Sequence, residues 1–239
     1  MRWIADRLAE IPGVEAVALG GSRALGTERP DSDWDFALYY RGSIDPADVG
    51  SLGFEGEVTA PGAWAYPMNG GAWLTVHGQR VDLLYRNLDD VARWTRAAER
   101  GEWELFRMPG YLVGFPSYVL AAELALGITL SGSWRRPDYP EALRALAPTR
   151  WRWEAEFALT HAAAHAGRDD VAACVGKLAF AVLAEAHARA AESGTWVINE
   201  KGLARRTGLE SAEAQLRPGL GTADLHQLVD AIGAAVDIR

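Results

Sequence analysis

Two aspartates at the start of a predicted strand are the residues of this sequence most suited to chemistry. Asp33 and Asp35 stand two residues apart, and large apolar side chains alternate from Trp34 to Tyr40. In an extended strand alternate residues share a face, so both carboxylates project together, about 7 Å apart. Carboxylate oxygens are the ligands that Mg²⁺ prefers. We therefore predict a metal-binding face at this strand.

A third acid, Asp82, lies within the otherwise apolar segment from Val81 to Tyr85. An unpaired carboxylate is costly to bury, and a shared cation would satisfy it. Two Mg²⁺ ions about 4 Å apart can activate an attacking oxygen and neutralise a leaving one. We predict that Asp33, Asp35 and Asp82 hold two such ions against a triphosphate.

A glycine-rich corner precedes the acids. Gly20, Gly21, Ser22 and Arg23 follow the short apolar run from Val14 to Leu19 and open a predicted helix. Glycines allow a tight turn, and the backbone N–H groups at the positive end of a helix can face an anion. These four residues are therefore predicted to bind the β- and γ-phosphates of a nucleotide.

Composition narrows the class of partner and the compartment. The chain has 239 residues and a formal net charge of −8, whereas proteins that bind long nucleic acids present basic surfaces. Cys174 is the only cysteine, so we expect a reducing, cytoplasmic setting. Charges at the N-terminus argue against a signal peptide, and we expect no stretch apolar and long enough to span a bilayer. The composition leaves monomer and homodimer open.

The periodicity of apolar residues predicts an α/β (α+β) domain with a small mixed sheet, followed by an all-helical bundle. Strands are expected at residues 14–19, 34–40, 72–76 and 80–85, a further short one near 64–68, and helices at 3–11 and 88–100. Strand signals nearly vanish after Tyr118, where helices are expected at 140–165, 169–191 and 222–236. Turn-forming residues between 110 and 140 place the boundary near 116, giving domains 1–116 and 117–239.

In this order, the glycine-serine corner, the Asp33-Trp34-Asp35 motif and Asp82 on a later strand resemble the DNA polymerase beta nucleotidyltransferase superfamily over residues 14 to 86. The helical second half, with its segment 199–202, looks like the small-molecule branch of that superfamily, the aminoglycoside and lincosamide type. The resemblance implies that Asp33 and Asp35 hold both metal ions and Asp82 the catalytic one. It also implies that Ser22 and the glycine backbone bind the triphosphate tail.

Proteins of that branch often place a lysine near the phosphates. Lys177 and Lys201 are the only lysines of this chain and are therefore its candidates for nucleotide binding.

The function expected from this resemblance is transfer of a nucleoside monophosphate, with AMP the first choice, from ATP or another nucleoside triphosphate. The acceptor would be a hydroxyl of a small molecule, and Asp82 is the candidate general base. An acidic protein attracts cationic compounds, so an aminoglycoside-like antibiotic is the favoured acceptor. The alternatives are adenylylation of a partner protein, as in antitoxin-type relatives, and a non-catalytic nucleotide-binding scaffold.

Overall fold

A computed structural model describes residues 2–217 of the chain. Its strands are β1 (Val14–Leu19), β2 (Trp34–Tyr40), β3 (Glu55–Val58), β4 (Gly71–Val76), β5 (Gln79–Asn87), β6 (Leu105–Phe106), β7 (Phe115–Pro116) and β8 (Ile128–Ser131). Its helices are α1 (Arg2–Ala9), α2 (Gly21–Leu25), α3 (Pro46–Gly50), α4 (Leu88–Glu99), α5 (Val119–Leu126), α6 (Glu141–Ala166), α7 (Val171–Glu192), α8 (Leu203–Arg206) and α9 (Glu210–Leu216).

The main sheet of the described residues has six strands in the order β3-β4-β5-β2-β1-β8. β2 and β5 run parallel, and the other neighbouring pairs are antiparallel. α6 and α7, which are 26 and 22 residues long, dominate the later part of the described chain. The predicted fold class, a mixed sheet followed by a helical region, is confirmed.

Two predictions about strands were wrong. The short strand expected near 64–68 lies earlier, as β3, because Trp64 and its neighbours form turns before β4. A strand also forms after Tyr118, where strand signals were thought to end. It is β8, four residues that pair with β1 at the edge of the sheet, and so short an apolar run after α5 has no periodicity of its own. The helix expected at 222–236 lies outside the described residues.

The two faces of the sheet differ in their cover. One face is buried under α1, where Ile4 and Leu8 pack in a cluster with Phe36, Leu38 and Leu83. On the opposite face, Ala37 and Tyr39 of β2 and Ala16 and Ala18 of β1 lie in a second cluster with residues of α4 and α5. Asp35 lies near the start of β2 on this second face and is only half-buried. The acids of β2 and β5 therefore lie at the end of that face away from α4 and α5.

A buried ion pair ties β5 to α5. The guanidinium of Arg86, whose side chain is 1% exposed, contacts Glu123 through Nε–Oε2 at 2.5 Å and Nη2–Oε1 at 2.8 Å. Arg86 also donates to the carbonyl oxygen of Met68 at 3.1 Å. Burial opposes the charged guanidinium, but the charge and hydrogen bonds of Glu123 outweigh it and raise the pKa of Arg86. The pair is thus a two-point charged clamp at the covered end of the sheet.

Contacts divide the chain into two compact units. The first comprises Met1–Ala147 and Ala190–Asn199, and the second Pro148–Arg189 and Glu200–Arg239. β7 and α5 pack with the sheet in the first unit because Phe115, Val119 and Leu120 join its second cluster. The predicted boundary near 116 therefore falls within the first unit, and the division 1–116 and 117–239 stays a prediction.

Within the described residues, α7 is long and apolar enough to cross a membrane by length and composition. The expectation that no stretch would meet these criteria was wrong. A core helix of a globular protein can pass the same test, but only 28% of the apolar window of α7 is buried. Ala184 and Ala188 in its later half are fully buried.

α7 also carries a buried histidine in the second unit. His187 is 2% exposed and stacks on Trp151 of α6 at 4.5 Å. Within residues 2–217 neither of its ring nitrogens has a hydrogen-bond partner. Burial, assisted by the positive charge of Arg206, lowers its pKa to about 4. The imidazole is therefore neutral in the folded protein across the physiological range.

Replacing Glu123 by Gln should lower the free energy of unfolding by about 3 kcal/mol or more, because it leaves the Arg86 guanidinium buried without its counter-charge. Urea unfolding followed by circular dichroism measures the change. The matched control is Glu102→Gln, which removes the carboxylate of an exposed pair with Arg100 and should leave stability unchanged. Equal effects of the two substitutions would contradict the clamp.

Stability should fall as the pH is lowered from about 6.5 towards 4, because His187 takes up a proton in the unfolded chain before it can do so in the fold. Over this interval the loss from this residue amounts to about 3 kcal/mol. His187→Phe keeps a buried aromatic ring against Trp151 and should flatten the dependence relative to the wild type. Urea midpoints at several pH values test this, with exposed His161→Phe as the control that should keep the wild-type slope.

Candidate functional site

The register between β2 and β5 brings two of the predicted acids together. Asp35 lies directly opposite Asp82 in this parallel pair, and both side chains are half-buried. Opposite residues of neighbouring strands project from the same face with their β-carbons about 5 Å apart. The preceding positions, Trp34 and Val81, also pair and point to the other face. Two carboxylates, 47 residues apart in sequence, thus become neighbours through the sheet.

The glycine corner closes on Asp35. β1 ends at Leu19, and the N–H of Gly20 donates to the carbonyl oxygen of Asp35 at 2.8 Å. Gly21 has φ +60°, and a β-carbon added there would overlap Oδ2 of Asp35. Only glycine therefore allows this approach of the backbone to the carboxylate. Since α2 has only five residues, the capacity to bind an anion rests on the N–H groups of the corner and on Ser22 rather than on a long helix dipole.

Asp33, just before β2, contacts a cation of the protein itself. Nε of Arg80, on β5, lies 2.6 Å from Oδ1 of Asp33. This oxygen is shielded from solvent and makes no hydrogen bond of normal geometry with the described part of the chain, so the contact is mainly one of charge. Arg80 also donates to the carbonyl oxygen of Asp31 at 3.0 Å. The Asp33 carboxylate is thereby turned towards the beginning of β5, where Arg80 lies.

Arg23 braces the loop that leads into β2. Its Nε donates to the carbonyl oxygen of Asp33 at 3.0 Å and its Nη2 to that of Ser32 at 2.6 Å. The guanidinium carbon lies 4.2 Å from the ring centre of Trp34, a cation–π contact. These contacts give Arg23 a positioning role between the corner and the acids, and phosphate binding by Arg23 stays a prediction.

The acids are suitable oxygen donors for a divalent cation, but the three side chains do not converge on one point. Among residues 2–217, no group of three or more His, Cys, Asp or Glu side chains stands close enough to hold a metal ion. Asp35 and Asp82 supply adjacent hard oxygen donors, which fits Mg²⁺. Asp33 directs its Oδ1 to Arg80, and among the described residues this shielded oxygen has no hydrogen-bond partner, so it is free to serve as a third donor when the ion pair opens. The donor set fits the ion once that ion pair opens.

The two lysines lie outside the unit that contains the acids. Lys177 lies on α7, with Nζ 5.8 Å from the ring centre of Phe180, and Lys201 lies just before α8. Both belong to the second unit, whereas the acids and the glycine corner belong to the first. A role of either lysine in nucleotide binding stays a prediction.

Sequence reasoning missed a neighbour of the acids on β4. Trp73 lies opposite Asp82, and Glu57 of β3 lies opposite Trp73. Trp73 is 47% exposed although Ala72 and Leu74, on either side of it, are buried on the other face. The alternation of this strand was visible in the sequence and could have placed Trp73 on the same face as Asp82. The pairing of β3 with β4 gave no comparable signal.

Gly21→Ala should lower stability by at least about 2 kcal/mol, because it combines a positive φ with the overlap on Asp35. The matched control is Gly26→Ala at the end of α2, which has φ +65° and open space around the added carbon. That control should cost only about 1 kcal/mol. Urea unfolding of both variants isolates the Asp35 contact. An equal loss of stability in Gly21→Ala and Gly26→Ala would show that the close approach of Gly21 to the Asp35 carboxylate does not contribute.

The comparisons with known proteins bear on the first part of the chain. The family model of the nucleotidyltransferase domain matches residues 1–88, which contain β1 to β5, the glycine corner and all three aspartates. No curated protein matches the sequence.

Among solved structures, the chain is similar to a nucleotidyltransferase-like protein from Exiguobacterium sibiricum 255-15, with 15% identity and a TM-score of 0.41. The alignment covers 95% of this chain and 68% of that one. The first five strands of the mixed sheet and the three acids lie within the residues that the nucleotidyltransferase-domain model matches, and the long helices follow them. The family match supports placing residues 1–88 in the nucleotidyltransferase superfamily and supports a general nucleotide-transfer activity.

Proposed function

We propose that this protein transfers a nucleoside monophosphate, with AMP the first choice, from a nucleoside triphosphate to a hydroxyl of a small molecule. The observation that carries the proposal is the pairing of Asp35 with Asp82 beside the Gly20–Gly21 corner. A cation-binding acid pair and an anion-binding corner meet at one point of the sheet. That juxtaposition suits a substrate composed of Mg²⁺ and a triphosphate.

Each residue of the site has a distinct task under this proposal. Asp33, Asp35 and Asp82 would hold Mg²⁺, which would neutralise the charge that develops on the transferred group. The N–H groups of the corner and the Ser22 hydroxyl would bind the β- and γ-phosphates and stabilise departing pyrophosphate. Asp82, on the other side of Asp35 from the corner, would accept the proton of the attacking hydroxyl.

Arg80 gives the site a resting state. Its guanidinium offsets the charge of Asp33 and so reduces the repulsion between Asp33 and the Asp35–Asp82 pair. The Arg80 side chain is 69% exposed, and an exposed ion pair costs little to open. Movement of Arg80 would release Asp33 when the metal-bound nucleotide arrives.

The acceptor and the setting follow from charge. A net charge of −8 favours small cationic or polyhydroxylated acceptors, of which aminoglycoside-like antibiotics are the example proposed, and disfavours long nucleic acids. We further propose a cytoplasmic protein that does not insert into a membrane and acts as a monomer or homodimer. Lys177 and Lys201 remain proposed phosphate contacts.

Asp35→Asn and Asp82→Asn should each weaken metal-dependent nucleotide binding by about tenfold or more in affinity, because each removes a charged metal ligand. Isothermal titration of a non-hydrolysable ATP analogue with and without Mg²⁺ measures this. The control is Asp6→Asn, the same change at an exposed position of α1, on the helix that covers the other face of the sheet.

The outcome separates the proposed activity from its alternatives. Mg²⁺-dependent binding that survives in Asp6→Asn and is lost in both site variants supports the transferase. Binding that is equal in all four proteins, or absent from all, favours a non-catalytic scaffold. Incubation with labelled ATP and a lysate decides between acceptors, because label on a protein rather than on small molecules indicates adenylylation of a partner.

A further inference from the structure

A row of paired residues crosses the open face of the sheet from its edge to the acids. Glu57 of β3 pairs with Trp73 of β4, Trp73 with Asp82 of β5, and Asp82 with Asp35 of β2. Paired residues project from the same face, so Trp73 adjoins Asp82 on the side away from the glycine corner. The row therefore places an aromatic ring and a further carboxylate directly beyond the acid pair.

The ring of Trp73 packs against one neighbouring ring and is partly exposed to solvent. It packs against Trp64 with ring centres 4.6 Å apart and an interplanar angle of 31°. Trp64 lies over Gly71, where an added β-carbon would come within 2.8 Å of the Trp64 ring, so a glycine in β4 makes room for this partner. Trp73 still leaves 47% of its surface exposed. A rigid aromatic surface facing solvent beside a polar site is the type of feature that binds ligands.

The geometry of the proposed transfer places the acceptor on the side of the site where Trp73 lies. In an in-line displacement the attacking and the leaving oxygen stand on opposite sides of the phosphorus. If pyrophosphate departs towards Gly21 and Ser22, beyond Asp35, the attacking hydroxyl approaches from the side of Asp82. Trp73 is the next residue in that direction.

The chemistry of the surface indicates the class of acceptor. The face of an indole ring attracts cations, and it also offers apolar area to the C–H groups of a ring compound. Glu55 and Glu57 of β3 are exposed and lie opposite Thr75 and Trp73, so carboxylates flank the aromatic ring at the sheet edge. Protonated amines can pair with such carboxylates.

We infer that Trp73, supported by Trp64 and flanked by Glu57, forms the acceptor subsite of this protein and selects a ring compound that bears protonated amines and hydroxyl groups. The inference rests on the proposed function for the direction of approach. It adds to that function a specificity surface on β3 and β4, outside the glycine corner and the three aspartates.

The test is isothermal titration of three aminoglycosides (kanamycin, neomycin and spectinomycin) into the protein saturated with Mg²⁺ and a non-hydrolysable ATP analogue. Trp73→Ala should weaken binding of the aminoglycoside by about tenfold, and Trp73→Phe by much less because it keeps an aromatic face. Glu57→Gln should weaken it by about threefold and reduce its dependence on salt. Trp153→Ala is the matched control, since Trp153 is 57% exposed on α6 and should not affect binding.

Three results would overturn the inference. They are absence of binding by all three compounds, an equal loss in Trp73→Ala and Trp153→Ala, and a loss of nucleotide affinity in Trp73→Ala as large as the loss of aminoglycoside affinity. The last would assign the ring to the nucleotide base. Circular dichroism of each variant checks folding, and the threefold loss expected in Glu57→Gln keeps the test decisive if Trp73→Ala unfolds.

A titration without nucleotide distinguishes failure of this inference from failure of the proposed function. Aminoglycoside binding that depends on Trp73 in the absence of nucleotide establishes the subsite, whatever Asp35→Asn does to nucleotide binding. Conversely, nucleotide binding that depends on Asp35, with aminoglycoside binding indifferent to Trp73, leaves the transferase proposal standing and removes the subsite.

Discussion

The parallel register of β2 with β5 is the constraint on which the site depends. It sets Asp35 opposite Asp82 and, at the same time, sends Phe36 and Leu83 into the core beneath α1. A slip of one residue would exchange these roles, burying a carboxylate and exposing an apolar side chain. The free energy gained by burying the apolar face therefore also fixes the position of the acids. The register of β2 with β5 thus determines both the packing of the core and the placement of the acids.

The two ends of this face of the sheet differ in the helices that pack on them. Towards the ends of β2 and β5, α4 and α5 cover the sheet, and the pair of Arg86 with Glu123 locks β5 to α5. Near the acids no such cover is present on the described part of the first unit, and Asp33, Asp35 and Asp82 are all partly exposed. The proposed nucleotide site would benefit from this arrangement, in which the strands are held together at a distance from the acids.

Much of this arrangement could be predicted from local sequence. The alternation around Asp33 and Asp35 and the apolar strand around Asp82 placed all three acids on strands or at their ends, because such patterns depend on near neighbours. The pairing of strands could not be predicted in this way, since β3 and β8 are short and are stabilised by their partners β4 and β1. The ion pair of Arg80 with Asp33 and the neighbour relation of Trp73 with Asp82 were missed for the same reason. Both depend on register between segments that local patterns do not relate.

The distribution of lysines has a practical consequence. Lys177 and Lys201 both lie in the second unit, and Cys174 is also on α7, whereas every basic side chain of the first unit is arginine or histidine. A reagent directed at cysteine side chains will therefore mark Cys174 in the second unit and leave both the sheet and the two lysines unmodified. A dye, a cross-linker or a sensor surface can be attached there, and the protein can then be studied with its carboxylate face chemically intact.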